Sequence, residues 1–309
     1  MMIFDQDKFR GALLGLAAGD ALGTTVEFSP RGTFTPLTDM VGGGPFHLKP
    51  GEWTDDTSMA LCLGQSLVEC DGMNLTDQLD RYRRWWLDGE NSSTGECFDI
   101  GNTVRSALEA YARTGDPYSG STHPMSAGNG SIMRLAPVPM FFANDTSAAI
   151  KLAAESSRTT HGAVEAVDAC RLLASLIVGL LTGKGKEEIL SADYPGSVEG
   201  LDDLCPHILA IAQGCYQGKS QDEIKGSGYV VQSLEAALWA FWNSEDFEQG
   251  ALLAVNLGDD ADTTGAVYGQ IAGACYGVGG IPKEWLAKLG KKDLLLDLAD
   301  QIHLRLCNS

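Results

Sequence analysis

The sequence predicts a single all-α domain, on three observations. Apolar residues recur at helical spacing along most of the 309 residues, period-two alternation is almost absent, and no linker-like or low-complexity stretch divides the chain. Hydrophobic residues make up 44% of it, enough to fill one sizeable core. The expected architecture is one compact, orthogonal multi-helical domain over residues 1–309.

In chain order, Phe9, Leu13 and Leu16 share the face of a first helix. Leu75, Leu79, Tyr82 and Trp86 form a second stripe, and Val104, Ala107, Leu108 and Tyr111 a third. The longest apolar run, residues 172–181, is too short to span a bilayer. Val231, Leu234, Leu238 and Phe241 mark a later helix, and Leu295, Leu298, Ile302 and Leu306 the last. Gly-, Pro-, Ser- and Asn-bearing segments at 28–51, 114–129 and 193–200 read as loops.

Two glycine series step by four residues: Gly11, Gly15, Gly19, Gly23 and Gly265, Gly269, Gly273, Gly277. Glycine inside a helix costs about 1 kcal/mol relative to alanine, so the register needs a reason. Small residues at this spacing let two helix backbones approach closely. The series predict two tightly packed central helices that hold neighbouring carboxylates at fixed separation.

Lys and Arg number 22 against 41 Asp and Glu, a net charge of −19. Such a surface argues against nucleic acid and anionic membranes as partners. The eight cysteines form no CxxC pair and sit mostly among apolar neighbours, which reads as a reducing compartment. Asp5 and Asp7 precede the first apolar run and Asp20 interrupts it, so no signal peptide is read and a cytoplasmic location is expected.

The functional signal lies in two acidic stretches, Thr54-Asp55-Asp56-Thr57 and Gly258-Asp259-Asp260-Ala261-Asp262-Thr263-Thr264-Gly265. Each opens a helical run and sets several hard oxygen ligands within one turn. Carboxylates this close repel unless a cation or many N–H donors hold them. Carboxylate and hydroxyl oxygens suit magnesium, manganese or calcium rather than zinc. Either stretch alone reads more readily as helix capping; together they suggest one shared site, for two ions.

Other motifs fit less well. An EF-hand loop starting at Asp260 would need a bidentate Glu where Ile271 stands. The DxDxT string of Asp260, Asp262 and Thr264 also begins haloacid-dehalogenase-type phosphatases, but there it ends an early strand. Gly214 to Ser220 is one residue short of a P-loop and reads as a helix end and turn.

With Gly19-Asp20-Ala21-Leu22-Gly23 and the two acidic stretches in order, the chain resembles the ADP-ribosylglycohydrolase family. Phe98-Asp99-Ile100-Gly101-Asn102-Thr103, Gly128-Asn129-Gly130-Ser131-Ile132-Met133-Arg134 and Thr160-His161 agree with it. The resemblance covers nearly the whole chain. It implies an all-α fold with a two-magnesium cleft (manganese being the alternative ion) and hydrolysis of the bond joining ADP-ribose to an acceptor.

The resemblance further implies Thr54, Asp55, Asp56, Asp260, Asp262 and Thr263 as metal ligands, Glu27 at or beside the metals, and Asp259 outside them. Glu27 or Asp56 is the candidate general base, with the choice open. Asn102, Gly128, Asn129, Gly130, Ser131, Met133 and His161 are the expected substrate contacts, the glycine loop cradling the diphosphate. Tyr229 is expected to stack on an aromatic part of the ligand. Asp99 resembles the arginine-directed branch, where a carboxylate suits a guanidinium leaving group by pairing with it and accepting its proton; its alternative reading is a cap for the helix near Asn102. The expected partner is an ADP-ribosylated protein, with ADP-ribose as product. A different ADP-ribose conjugate, or an ADP-ribose-binding protein without turnover, are the competing readings.

Overall fold

The computed structural model describes residues 4–308. Fourteen α-helices are found there, with short 3-10 turns between them and no strand among the described residues. In order they are α1 (Gln6–Gly23), α2 (Asp55–Glu69), α3 (Leu75–Asp88), α4 (Asn102–Thr114), α5 (Pro137–Phe141), α6 (Thr146–Arg158) and α7 (Val164–Leu181). There follow α8 (Lys186–Ile189), α9 (Pro206–Ala212), α10 (Val230–Trp242), α11 (Phe247–Val255), α12 (Ala261–Tyr276), α13 (Lys283–Lys288) and α14 (Lys292–Asn308).

Helix starts and stops follow local chemistry. Asp5, Asn74, Asp145 and Asp246 each accept a backbone N–H of the first turn they cap. α3 and α4 end at Gly89 and Gly115 in left-handed conformation. The predicted stripe on α4 is wholly buried. On α3 the register slips by one: Trp85 is buried, whereas Trp86 is only partly so. The segment resembling a P-loop is a turn after α9, with Gly214 at φ 82° and a capping box from Ser220 to Glu223.

α1 and α12 pack antiparallel at the centre. Gly19 faces Gly265, Gly15 faces Gly269, Gly11 faces Gly273, and Gly23 faces Ala261. A methyl group at Gly11, Gly15, Gly19 or Gly23 would collide with a backbone carbonyl of α12. Backbones this close exchange Cα–H···O contacts and dense dispersion contacts, which offset the helix cost of glycine. Both helices are buried almost all round, with α14 against α1 and α10, α11 and α7 against α12.

The antiparallel register brings the C-terminus of α1 against the N-terminus of α12. Asp20 therefore lies beside Asp262. The start of α2 meets the same point, because Thr54 and Thr57 bond to Asp20. Isolated bridges instead of sheets clip the surrounding loops together, at Pro30–Gly258, Gly128–Tyr229 and Ser121–His161. No helix is long and apolar enough to cross a membrane among the described residues.

Candidate active site

Three helix termini build the floor of a cleft of about 240 Å³. Asp20 on α1 is fully buried. Its Oδ1 accepts the Thr54 N–H and hydroxyl, both at 2.9 Å, and its Oδ2 accepts the Thr57 N–H at 3.0 Å and hydroxyl at 2.6 Å. Thr54 Oγ1 also lies 3.2 Å from Asp56 Oδ2 and 3.1 Å from Asp262 Oδ2. The two acidic stretches thus meet in space.

Across the floor, Glu27 Oε2 accepts the backbone N–H groups of Ala261 at 2.8 Å and Asp262 at 3.3 Å, using the positive end of α12. Asp260 Oδ2 accepts from Asn129 Nδ2 at 3.0 Å, and Asp262 Oδ1 accepts the Thr263 N–H at 2.7 Å. Neither Thr54 nor Asp260 makes a side-chain cap, although both sit at N-cap positions. Plain helix capping therefore does not account for either stretch.

Two carboxylate triads result, Asp20–Asp56–Asp262 and Glu27–Asp260–Asp262, each with ligand atoms within 4.8 Å of one another. They share Asp262. Among the described residues no Lys, Arg or His forms an ion pair with any of these acids. Burial and mutual repulsion push Asp20 and Asp260 up to about 7. They drive Glu27, Asp55 and Asp56 well above the usual carboxylate range. Asp56 Oδ1 is buried with no hydrogen-bond partner. An orphaned oxygen among buried, unpaired carboxylates fits a cation, which would supply the missing partner.

Asp99 enters from the loop before α4 at φ 58° and does not cap that helix, whose N-cap is Gly101. It lines the cleft, and burial with the negative charge of Asp55 pushes its carboxyl up to about 11. Glu27, Asp55, Asp260, Asp262 and Thr263 line the same space, as do Asn102, Gly128, Asn129, Gly130, Met133 and His161. Thr54 and Asp56 lie beneath the floor, at most 1% exposed. Asp259 is exposed at φ 58°, its backbone tied to Phe28 and Ser29.

One expectation is corrected. The Ser131 hydroxyl does not face the cleft: it is 2% exposed and accepts from Ser157 Oγ at 3.0 Å. The 3-10-like turn after Asn129 rotates it into the core, so the loop offers the cleft its glycine backbone and Asn129. Tyr229 lines a second cavity, of about 580 Å³, with Met125 and Glu165. Thr103, Gly128 and Gly228 border both cavities, which makes them neighbours.

Two residues went unassigned from sequence. Asp20 adjoins the first glycine series, and its position one turn from the end of α1 was the available signal. Phe28 is 63% exposed at the cleft wall with φ 60°, and its ring leads through Phe46 to Phe98. Nothing in its sequence context marked it.

Fold and site together define an all-helical domain with a buried carboxylate centre under an open cleft, an arrangement suited to hydrolysis. The profile of the ADP-ribosylglycohydrolase family matches residues 2–308, and the chain belongs to that family. It is 46% identical over 296 residues to "ADP-ribosylarginine hydrolase Tri1" of Serratia proteamaculans (strain 568), covering 96% of this chain and 79% of the relative. It is 33% identical to "ADP-ribosyl-[dinitrogen reductase] glycohydrolase" of Rhodospirillum rubrum, covering 93% and 91%. A solved structure described as "ADP-ribosylglycohydrolase-related protein complex" superposes with a TM-score of 0.84 at 46% identity, over 97% of this chain and 98% of that one. The protein is accordingly an enzyme of the glycohydrolase class, and the phosphatase reading of DxDxT falls away because Asp260 opens a helix, not a strand end.

Proposed function

We propose that this enzyme removes ADP-ribose from arginine side chains of modified proteins, using two magnesium ions bound where the paired triads meet. The observation that carries the reading is Asp262, shared between two groups of buried, unpaired carboxylates under the cleft. Thr54, Asp55, Asp56, Asp260, Asp262 and Thr263 would hold the ions, with Asp20 and Glu27 beside them. Bound there, the cations would supply Lewis-acid binding of ribose hydroxyls and a lowered pKa for an attacking water.

The chain's own groups divide the remaining work. Glu27 faces the cleft whereas Asp56 lies under it, so Glu27 is the better-placed base for the water. Glycosidic cleavage passes through an oxocarbenium-like centre, which the surrounding carboxylates stabilise. Asp99 lines the same cleft, beside the acids that would hold the ions. Its carboxyl group can hydrogen-bond the guanidinium group of the substrate and pair with the guanidinium product once the C–N bond has broken. The glycine loop with Asn129 and His161 faces the diphosphate, and the Tyr229 cavity takes the adenine. The similarity to arginine hydrolases supports arginine as acceptor.

Release of ADP-ribose from arginine-modified and serine-modified substrates, with magnesium or chelator, tests the reading. Magnesium-dependent release from arginine is expected, with Asp99→Asn slower by about 10²-fold or more. Release from serine alone would overturn the acceptor assignment, and release in chelator would overturn the cation requirement.

A further inference from the structure

The guanidinium of Arg134 is buried, and no carboxylate pairs with it among the described residues. One terminal nitrogen donates to Thr160 Oγ1 at 2.6 Å, the other lies 3.7 Å from Met59 Sδ, and the group sits 4.6 Å over the Tyr82 ring. Its Nε has no partner. Burying a lone cation is expensive, and this one touches the substrate side of the molecule only through Thr160.

Thr160 Oγ1 lies 2.9 Å from His161 Nδ1. A threonine hydroxyl has one proton and accepts with its lone pairs. Having accepted from Arg134, Thr160 can place its own proton on Nδ1. If Nδ1–H donated instead, the hydroxyl proton would be left in buried space without an acceptor, at a desolvation cost. Nδ1 is therefore the acceptor, and the ring proton belongs on Nε2.

Nε2 points at the glycine loop and the cleft. A methyl group at Gly130 would come within 2.7 Å of His161 Cε1 and 3.1 Å of Nε2, so the ring edge packs where only glycine leaves room. Burial, aided by the Arg134 charge, pushes the imidazole down to about 3, so the ring stays neutral.

We propose that Arg134 and Thr160 are positioning residues that lock His161 as the Nε2–H tautomer, presenting a neutral hydrogen-bond donor to an anionic oxygen of the ligand. Resting on the function proposed above, that oxygen belongs to the diphosphate of ADP-ribose. The opposite tautomer would aim a lone pair at the anion. A charged imidazolium would set a second buried cation beside the unpaired guanidinium of Arg134.

Nitrogen-15 spectra of the imidazole rings in the ligand-free protein read the proton position directly, and calorimetric titration with ADP-ribose in magnesium reads its use. The expected proton is on Nε2. Gln places an amide near Nε2 and Asn near Nδ1, so His161→Gln should bind within roughly threefold of the native protein and His161→Asn roughly tenfold or more weaker. Thr160→Ser should keep the tautomer and the affinity. Thr160→Val should lose both, with KM for the arginine-linked substrate rising more than kcat falls. A proton on Nδ1, or equal binding by the Asn and Gln variants, would overturn the proposal. Failure of the native protein to bind ADP-ribose would overturn the ligand and the glycohydrolase reading together, while the spectra judge the relay separately.

Discussion

Asp20 receives four hydrogen bonds on two oxygens and still contributes to a carboxylate triad. It ties α1 to the start of α2 and so sets where Thr54 and Asp56 point. Asp20→Asn would turn an amide N–H₂ toward a backbone N–H and a hydroxyl that now donate. The expected cost is about 1–3 kcal/mol of stability and roughly a 10–100-fold loss of cation affinity, the range for groups that orient metal ligands. Chemical denaturation and calorimetric titration with manganese check the two. Unchanged affinity would make Asp20 a purely structural anchor. The residue scale is also where sequence reading was weakest. Carboxylates and glycines in strings were legible because their types alone constrain the chemistry. The direction of the Ser131 hydroxyl depends on how one turn rotates after Asn129, which no residue type announces.

At the scale of elements, the contact between α1 and α12 positions the site. A Gly→Ala change in an unconstrained helix would gain about 1 kcal/mol. Gly19→Ala instead drives a methyl into the Gly265 carbonyl, and backbone cannot yield as a side-chain tip can. A loss of several kcal/mol is expected, comparable with the larger overpacking penalties, together with weaker cation binding because Asp20 and Asp262 move apart. Thermal unfolding of Gly19→Ala beside Gly218→Ala, a turn position where nothing lies within 4 Å of the added group, separates the clash from the mere addition of a methyl group. A stability gain in both would remove the packing argument. This helix pair was legible beforehand, since glycine at every fourth position weakens a helix unless a second backbone packs against that face. The slip from Trp86 to Trp85 on α3 was not, because Leu79 and Tyr82 fit either register and only the packed neighbours decide.

For the whole molecule, the buried acids link stability to pH and to cations. Asp20 and Asp260 have folded values raised to about 7 from an ordinary 3.8. Below 3.8 both states hold the protons and the contribution is complete. Between 3.8 and 7 the unfolded chain releases them while the folded one keeps them, so stability falls as pH rises. Glu27, Asp55, Asp56 and Asp99 act in the same direction. His161 acts oppositely, losing stability as pH falls from 6.5 toward 3, and its effect is common to samples with and without metal. The increase in melting temperature on adding magnesium to chelated protein should therefore grow from pH 4 to pH 7. At a free concentration a hundred times the dissociation constant, one site adds about 2.7 kcal/mol. A magnesium increment that is flat or shrinking with pH would mean that the cation does not replace these protons.

The central claim is that two cations sit on either side of Asp262. Anomalous scattering from crystals grown with manganese tests it most directly. Two peaks are predicted, one within bonding distance of Asp262 and the Asp56 side of the floor, the other of Asp262 and the Asp260–Glu27 side. A single peak away from Asp262, or none at saturating manganese, would contradict the account.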